Sequence, residues 1–153
     1  MKKSGSILAG AILGGIGTYF FAAKEPIEGN TMTDVDDKFR KNFNLMVRWM
    51  TALQNHHSLA DSLTRRGIHS IAIYGMGEIG TLLYNELKDT DIAMPYAIDN
   101  GGAYAELEVR CSDDTLDSID AIIVTVLYAY DEIKSDLQRK FNGEIFSLAE
   151  IIP

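Results

Sequence analysis

Residues 71–80, which read IAIYGMGEIG, constrain the fold of this chain more than any other stretch. A short apolar run meets a G-x-G-x-x-G pattern formed by Gly75, Gly77 and Gly80, and an amphipathic run over residues 79–87 begins before the last glycine. Strand, tight turn and helix in this order form the first half of a phosphate-binding βαβ unit. The segment therefore predicts an α/β domain built around this unit.

Each position of the glycine turn has a physical role. Gly75 can adopt backbone angles that a Cβ disfavours, Gly77 lets the main chain approach a phosphate, and Gly80 lets the helix pack against the strand. The free N–H groups and the positive dipole end of the helix favour an anion at this place. The predicted binding loop also contains the residues between the glycines: Met76, Glu78 and Ile79.

An acid follows at the spacing that a ribose-binding residue needs. Asp99 comes nineteen residues after Gly80, at the end of the apolar run over residues 92–98, and Asn100 follows it. Its carboxylate would bond a ribose hydroxyl and repel a 2′-phosphate, which favours NAD over NADP. Thr125, near the end of a later apolar run, is expected across the crevice together with Leu127 and Tyr128, and Thr125 could donate to a phosphate or sugar. The predicted cofactor is NAD or a nucleotide sugar; alternatively, the glycines serve only the turn and helix packing.

Apolar and amphipathic runs alternate along the second half of the chain. Such alternation predicts a Rossmann-like, doubly wound parallel sheet of about five strands in the order 3-2-1-4-5, with its crevice at the carboxyl ends of strands one and four. The strands are expected at residues 69–74, 92–99, 107–109, 121–126 and 144–147, and the helices between them at 79–88 and 131–141.

The N-terminal segment differs from the rest in composition. Lys2 and Lys3 precede seventeen uncharged residues, 7–23. As a helix these would span roughly 26 Å, slightly less than a hydrocarbon core of about 30 Å. We interpret the segment as a membrane anchor; a cleaved signal peptide and a glycine-rich segment packed on a partner remain alternatives. Small residues recur every four positions, which favours close helix pairing and a homodimer: Ser6, Gly10, Gly14, Thr18 and Ala22.

Charge bears on topology and on partners. Lys2 and Lys3 favour a cytoplasmic N-terminus, but four basic residues on the other flank compete: Lys24, Lys38, Arg40 and Lys41. Because nucleotides are abundant in the cytoplasm, we expect the domain on the cytoplasmic face of the inner membrane. The formal net charge of −8 argues against nonspecific nucleic-acid binding, which needs a basic surface.

The region between the hydrophobic segment and the sheet domain divides in two. Residues 24–37 carry proline, glycine and several acids and are expected to form a linker, and residues 38–67 a helical lead-in to a domain over 68–153. A helix over residues 35–53 is predicted to bury one face on the domain or on a partner. That face comprises Phe39, Phe43, Met46, Val47, Met50 and Leu53.

Catalytic and metal signals are weak in this sequence. Tyr130 and Lys134 have the Y-x-x-x-K spacing of short-chain dehydrogenases, but the chain lacks the long preceding stretch in which a catalytic serine would lie. Adjacent His56 and His57 point different ways on a regular element, and no Cys/Asp/His spacing predicts a metal site. No catalytic residue is therefore assigned.

Two parts of the domain resemble a known family. The run IAIYGMGEIGTLLYNELKDTDIAMPYAIDN and the later DAIIVTV, YDEI and IFSLAEII resemble Rossmann-like modules of bacterial surface-polysaccharide biosynthesis, which include the N-terminal domains of sugar acyltransferases. The resemblance covers residues 46–153 and implies nucleotide-sugar contacts at Gly75, Gly77, Gly80 and Asp99. It also implies a glycosyltransferase or acyltransferase partner, because the chain has neither catalytic domain.

Three functions follow as hypotheses from these observations. The first is a membrane-tethered module that binds a nucleotide or nucleotide sugar and assists polysaccharide assembly. The second is a subunit of an NAD(P)-dependent oxidoreductase or epimerase, which would need acid–base groups from a partner. The third is a non-catalytic scaffold with an empty Rossmann-like fold.

Overall fold

A computed structural model describes residues 32–101, 104 and 106–153. The chain divides into two compact units, Met1–Val35 and Asp36–Pro153, and the whole sheet belongs to the second unit. The expected N-terminal hydrophobic helix lies outside the described residues. Within them, no helix combines the length and the apolar composition needed to cross a membrane.

Five parallel strands form one sheet in the order β3-β2-β1-β4-β5, which confirms the predicted topology. The strands are β1 (Ile71–Tyr74), β2 (Tyr96–Ile98), β3 (Glu108–Arg110), β4 (Ala121–Val124) and β5 (Glu144–Ser147). The helices are α1 (Met32–Gln54), α2 (Leu59–Thr64), α3 (Glu78–Leu87), α4 (Tyr130–Leu137) and α5 (Leu148–Ile151), with a 3₁₀ turn at Leu127–Ala129.

The central strands are buried on both faces, as their continuous apolar sequences require. Alternate side chains of β1 enter different cores: Ile71 and Ile73 pack with α1, α2, α3 and α5, whereas Ala72 packs on the opposite face with Leu137 of α4. All four residues of β4 are fully buried. Helices therefore cover the sheet from both sides.

Strand β2, Tyr96–Ile98, is shorter than the strand predicted over residues 92–99. The ladder with β1 covers only its last residues, and an isolated bridge from Ser70 to Ala93 precedes it. Pro95 lies between the bridge and the strand, and a proline has no N–H group for a ladder hydrogen bond. The interruption leaves the position of Asp99 at the strand's carboxyl end unchanged.

Helix α1 packs on the domain through a different face from the predicted one. Leu45, Trp49 and Ala52 are buried, whereas Phe39 is 71% exposed. The indole N–H of Trp49 donates to the carboxylate of Glu86 in α3, so the domain-facing side includes a polar anchor as well as apolar contacts. The predicted apolar face is largely solvent-exposed on the described unit, and only Met46 of that set packs against the core.

Ser58 and Gly67 bound the second helix. The hydroxyl of Ser58 accepts a hydrogen bond from the N–H of Asp61, the usual N-cap geometry. Gly67 follows the helix with φ of 75°, a left-handed conformation that glycine adopts without strain. This short helix leads directly into β1 and the glycine turn.

Candidate ligand-binding crevice

Two of the three glycines are required by the packing of the turn itself. Gly75 has φ of 91°, and a Cβ there would lie 2.9 Å from Thr125 Oγ1 and 2.8 Å from Val126 Cγ2. A Cβ on Gly80 would lie 2.1 Å from the carbonyl oxygen of Gly75. Helix α3 can therefore approach the end of β1 this closely only with glycine at position 80.

Gly77 differs from both, because no heavy atom of the described residues, apart from its neighbours in the chain, lies within 4 Å of the position of a Cβ. It is the N-cap of α3 and has an ordinary φ of −66°, so neither packing nor backbone strain demands glycine here. No side chain caps the helix. The amides of the first turn of an α-helix have no intrahelical acceptor. At Gly77 these amides therefore border open space.

Asp99 connects the end of β2 to the glycine turn. One carboxylate oxygen accepts from the N–H of Met76 at 2.7 Å, and the other accepts from the N–H of Gly101 at 2.8 Å. The acid thus lies beside the loop, where its spacing in the sequence predicts it. Each oxygen already has one donor, and a carboxylate oxygen can accept a further hydrogen bond from a ligand hydroxyl.

The opposite wall begins at the end of β4. The Thr125 hydroxyl lies 2.8 Å from the carbonyl oxygen of Gly75 and 3.1 Å from that of Tyr74, so its hydrogen is used within the protein. Leu127 and Tyr128 follow in the 3₁₀ turn, and the ammonium group of Lys38 lies 4.3 Å from the centre of the Tyr128 ring. The Thr125 hydroxyl positions the glycine turn and retains acceptor capacity toward the crevice.

A cavity of about 260 Å³ lies between these two walls. This is slightly smaller than the roughly 300–1,000 Å³ typical of small-molecule sites. It therefore encloses a phosphate and a sugar more readily than a whole dinucleotide. Its lining consists of Asn42, Gly75, Gly77, Glu78, Ile79, Asp99, Thr125, Val126, Leu127 and Tyr128.

Charge in the crevice comes from carboxylates. Glu78 and Asp99 are the acidic lining residues, and no lysine or arginine belongs to the lining as described, although Lys38 lies against the ring of Tyr128. An anion in the crevice would therefore be held by main-chain amides and by the positive end of the α3 dipole. A ligand with one or two diester phosphates suits this arrangement better than one with a terminal dianionic phosphate.

The structure brings together six of the nine residues that the sequence assigns to the site: Gly75, Gly77, Glu78, Ile79, Asp99 and Thr125. Met76 contributes its amide to Asp99, while its side chain packs against the core. Gly80 serves helix packing, and the Asn100 side chain accepts from the N–H of Ser112 at 3.0 Å. Contact between these nine residues and a ligand is still a prediction.

Sequence reasoning missed Asn42 and Val126. Val126 follows Thr125 directly in the loop after β4, so its place near the crevice could have been predicted with that of Thr125. Asn42 lies in α1 and reaches the crevice only because that helix packs beside the sheet. No local pattern near residue 42 indicates this contact.

A second, larger cavity of about 530 Å³ lies on the α4 side of the sheet. Tyr74, Ser112 and residues of α4 line it, together with Asp113 and Lys140, which form a 3.1 Å ion pair. Burial, followed by the nearby charges of Asp99 and Asp136, raises the pKa of Tyr74 above its usual value. The phenol therefore stays neutral at physiological pH. No residue of the glycine turn belongs to the lining of this cavity as described.

Tyr130 and Lys134 make contact but do not line the crevice. The Lys134 ammonium donates to the Tyr130 oxygen at 3.1 Å, and the Tyr130 hydroxyl donates to the carbonyl oxygen of Ile145 at 3.1 Å. Burial raises the pKa of Tyr130, although the Lys134 hydrogen bond opposes this. A proton-transfer tyrosine needs the reverse, a hydroxyl that is free to face the substrate and loses its proton easily.

Comparison with known proteins adds no assignment. No protein-family model matches the chain, and neither a curated protein nor a solved structure matches it. Within the part of the chain that the structure describes, no group of three or more His, Cys, Asp or Glu residues is placed to hold a metal ion. The fold and the crevice are thus the features that bear on function.

Proposed function

We propose that this protein binds a nucleotide or nucleotide sugar in the crevice between the glycine turn and the end of β4. The ligand's phosphate would lie against the main chain at Gly77, and a ribose hydroxyl would bond the carboxylate of Asp99. The crevice lies at the carboxyl ends of β1 and β4, where the strand order reverses. Ligands of doubly wound sheets bind at such switch points.

One observation carries the proposal, namely the open space at Gly77. Packing explains Gly75 and Gly80 completely, but nothing within the described protein fills the place of a side chain at Gly77. A phosphate that approaches the helix N-terminus needs this space to be open. The missing side chain and the unpaired first-turn amides therefore favour the same ligand chemistry.

A thermal-shift panel on the full-length chain in mild detergent would test the proposal. The panel contains NAD, NADP, UDP-sugars and GDP-sugars, with the Gly77→Val variant as the matched control. A ligand that binds only the folded state raises its stability by about 2.7 kcal/mol at a hundred times its Kd. The parent protein should shift with one ligand class, and Gly77→Val should not. No shift with any ligand would contradict the proposal.

The proposal extends to the cellular setting. The module would be tethered to the inner membrane through residues 7–23, with its domain on the cytoplasmic face, and would assist a glycosyltransferase or acyltransferase in surface-polysaccharide assembly. This part rests on the composition of the N-terminal segment and on the resemblance of residues 46–153 to modules of polysaccharide biosynthesis.

A non-catalytic scaffold is the second candidate, and one observation favours it. Both oxygens of Asp99 and the hydroxyl hydrogen of Thr125 have partners within the protein. These groups would then stabilise the glycine turn and need no ligand. The oxidoreductase alternative has weaker support, since Tyr130 and Lys134 lie outside the crevice.

A further inference from the structure

Helix α1 carries a row of exposed apolar side chains, which we call the apolar stripe: Phe39, Phe43, Val47, Met50 and Leu53. Each of these side chains is between 44% and 71% exposed. The rings of Phe39 and Phe43 stack on one another with centroids 6.3 Å apart. The domain does not cover the stripe, because α1 faces the domain through Leu45, Trp49 and Ala52.

Exposure of this extent needs an explanation. Single exposed apolar residues are common on soluble proteins, but a continuous row of five large ones marks an interaction surface. The row extends over fifteen residues, and the fourteen helical steps between its ends span roughly 21 Å. The stripe is therefore long enough to take another helix along its length.

We propose that the apolar stripe pairs with the same stripe of a second copy of this chain. Four of its residues, together with half-buried Met46, follow the spacing 4-3-4-3: Phe39, Phe43, Met46, Met50 and Leu53. This is the seam spacing at which the side chains of two helices interlock. Two heptads make a short helix pair in which each helix also packs on its own domain.

The area of the stripe suits a pair of identical surfaces. A buried aromatic side chain covers about 150–250 Å², and an aliphatic one covers less. Five side chains that are roughly half exposed therefore offer roughly 100 Å² each, or about 500 Å² per copy. Two copies would bury about 1,000 Å² from these side chains alone, the lower limit for a specific interface, and the flanking helix surface adds to it.

The border of the stripe favours a protein partner over a lipid surface. Helices that lie on anionic membranes usually carry Lys and Arg along the edges of the apolar face. By the helical step of 100°, the stripe is bordered by Asn42 on one side and by Arg40, Asn44 and Thr51 on the other. Arg40 is the basic residue at this border, and Asp37 pairs with it at 2.6 Å.

The sequence before α1 supports the same partner. The four-residue spacing of small residues over positions 6–22 is a signal for self-association of apolar helices. The small-residue spacing and the apolar stripe thus both favour a second copy of this chain as the partner. The inference does not depend on nucleotide binding.

Cysteine cross-linking of the full-length chain in membranes would test the pairing. Cys111 is free and exposed, so the starting variant is Cys111→Ser. Single cysteines at Phe43 and Met50 probe the stripe. Lys41→Cys and Arg48→Cys are matched controls, because both residues are exposed on the same helix and lie beyond the border of the stripe. The Phe43→Cys and Met50→Cys chains are also mixed, because an antiparallel pair would join these two positions.

Oxidation should give a covalent dimer with Phe43→Cys alone, with Met50→Cys alone or with the mixture of the two. The two control variants should give only a background level of dimer. Adding Phe43→Glu and Val47→Glu to the Met50→Cys chain should abolish that dimer while circular dichroism shows unchanged helix content, because both side chains are exposed. Equal cross-linking at stripe and control positions would overturn the inference. Cross-linking that survives the glutamates, or none at any stripe position, would overturn it as well.

Discussion

At the scale of single residues, substitutions in the glycine turn distinguish effects on ligand binding from effects on folding. The Cβ of a valine at position 77 would meet no heavy atom of the described residues beyond its neighbours in the chain, and the backbone there has an ordinary φ of −66°. We expect Gly77→Val to abolish nucleotide binding and to cost at most about 1 kcal/mol, the scale of a lost helix cap. Isothermal titration calorimetry and urea denaturation measure the two effects on the same preparation.

Gly80→Ala, unlike Gly77→Val, should mainly reduce the stability of the fold. The added Cβ would collide with the main chain of Gly75, which cannot move without shifting β1. Overpacking of this kind costs about 1–3 kcal/mol or more. Urea denaturation should therefore show a large loss of stability. If Gly80→Ala is as stable as the parent, the close approach of α3 to the turn is wrong.

Asp99 provides a test of cofactor identity at the same scale. If the ligand is NAD, Asp99→Ala should weaken its binding about tenfold or more, since a hydrogen bond to a charged group contributes about 1.5–3 kcal/mol. NADP binding should not weaken, because the carboxylate repels a 2′-phosphate. Fluorescence titration with both cofactors makes the comparison. An equal loss for both would mean that Asp99 acts by holding Met76 and the glycine turn.

At the scale of elements, Asp120 joins β1 to β4 at the edge opposite the crevice. One of its carboxylate oxygens accepts from the N–H groups of His69 and Ser70, each at 2.9 Å. The His69 N–H, followed by the side chain and N–H of Ser70, lowers the pKa of Asp120. A lowered folded-state pKa means that the contribution to stability is present above the unfolded value, near 4, and is lost as pH falls through the folded value.

Asp120→Asn should therefore destabilise the protein at neutral pH and make its acid unfolding less steep. The loss should be about 1 kcal/mol or less, because the carboxylate is exposed and solvent screens it. Denaturant titrations between pH 7 and about pH 3 measure both effects, a range that brackets the ordinary aspartate pKa. Ligand binding is the control and should not change, since Asp120 lies at the far end of β1. A constant stability difference across this range would contradict the assigned role.

Most of the sheet could be predicted at this scale because the local signal and the tertiary environment agree. Apolar runs such as Ala121–Val124 are buried on both faces, so no alternative face exists to choose. Helix α1 shows the limit. The periodicity of its sequence identifies an apolar face but does not say what that face contacts. The contact with the domain is made by a neighbouring face of the helix, which contains Trp49. Asn42 reached the crevice through the same packing, which no pattern in the chain encodes.

At the scale of the whole molecule, α1 connects the two proposed surfaces. Asn42 lines the crevice, and Phe43, the next residue, belongs to the apolar stripe. A partner helix on the stripe would restrict the motion of α1 and hence the position of Asn42. If both proposals hold, pairing and ligand affinity are linked, and each must strengthen the other by the same factor when the coupling is favourable.

Membrane orientation is the remaining prediction at this scale. Two lysines precede the hydrophobic segment 7–23, whereas Lys24, Lys38, Arg40 and Lys41 follow it. The positive-inside rule counts lysine and arginine near the ends of a span, and acids contribute little to it. The two groups of basic residues compete, so the prediction of a cytoplasmic domain rests on the availability of a nucleotide ligand in the cytoplasm.

Protease digestion of intact spheroplasts checks this orientation. Protease added from outside should leave residues 36–153 undigested, and the same protease should degrade them after the membrane is permeabilised. A periplasmic protein in the same cells controls for protease access, and a cytoplasmic protein controls for leakage. Digestion of the domain in sealed spheroplasts would place it outside the membrane, and a ligand abundant in the cytoplasm would then no longer be expected in the crevice.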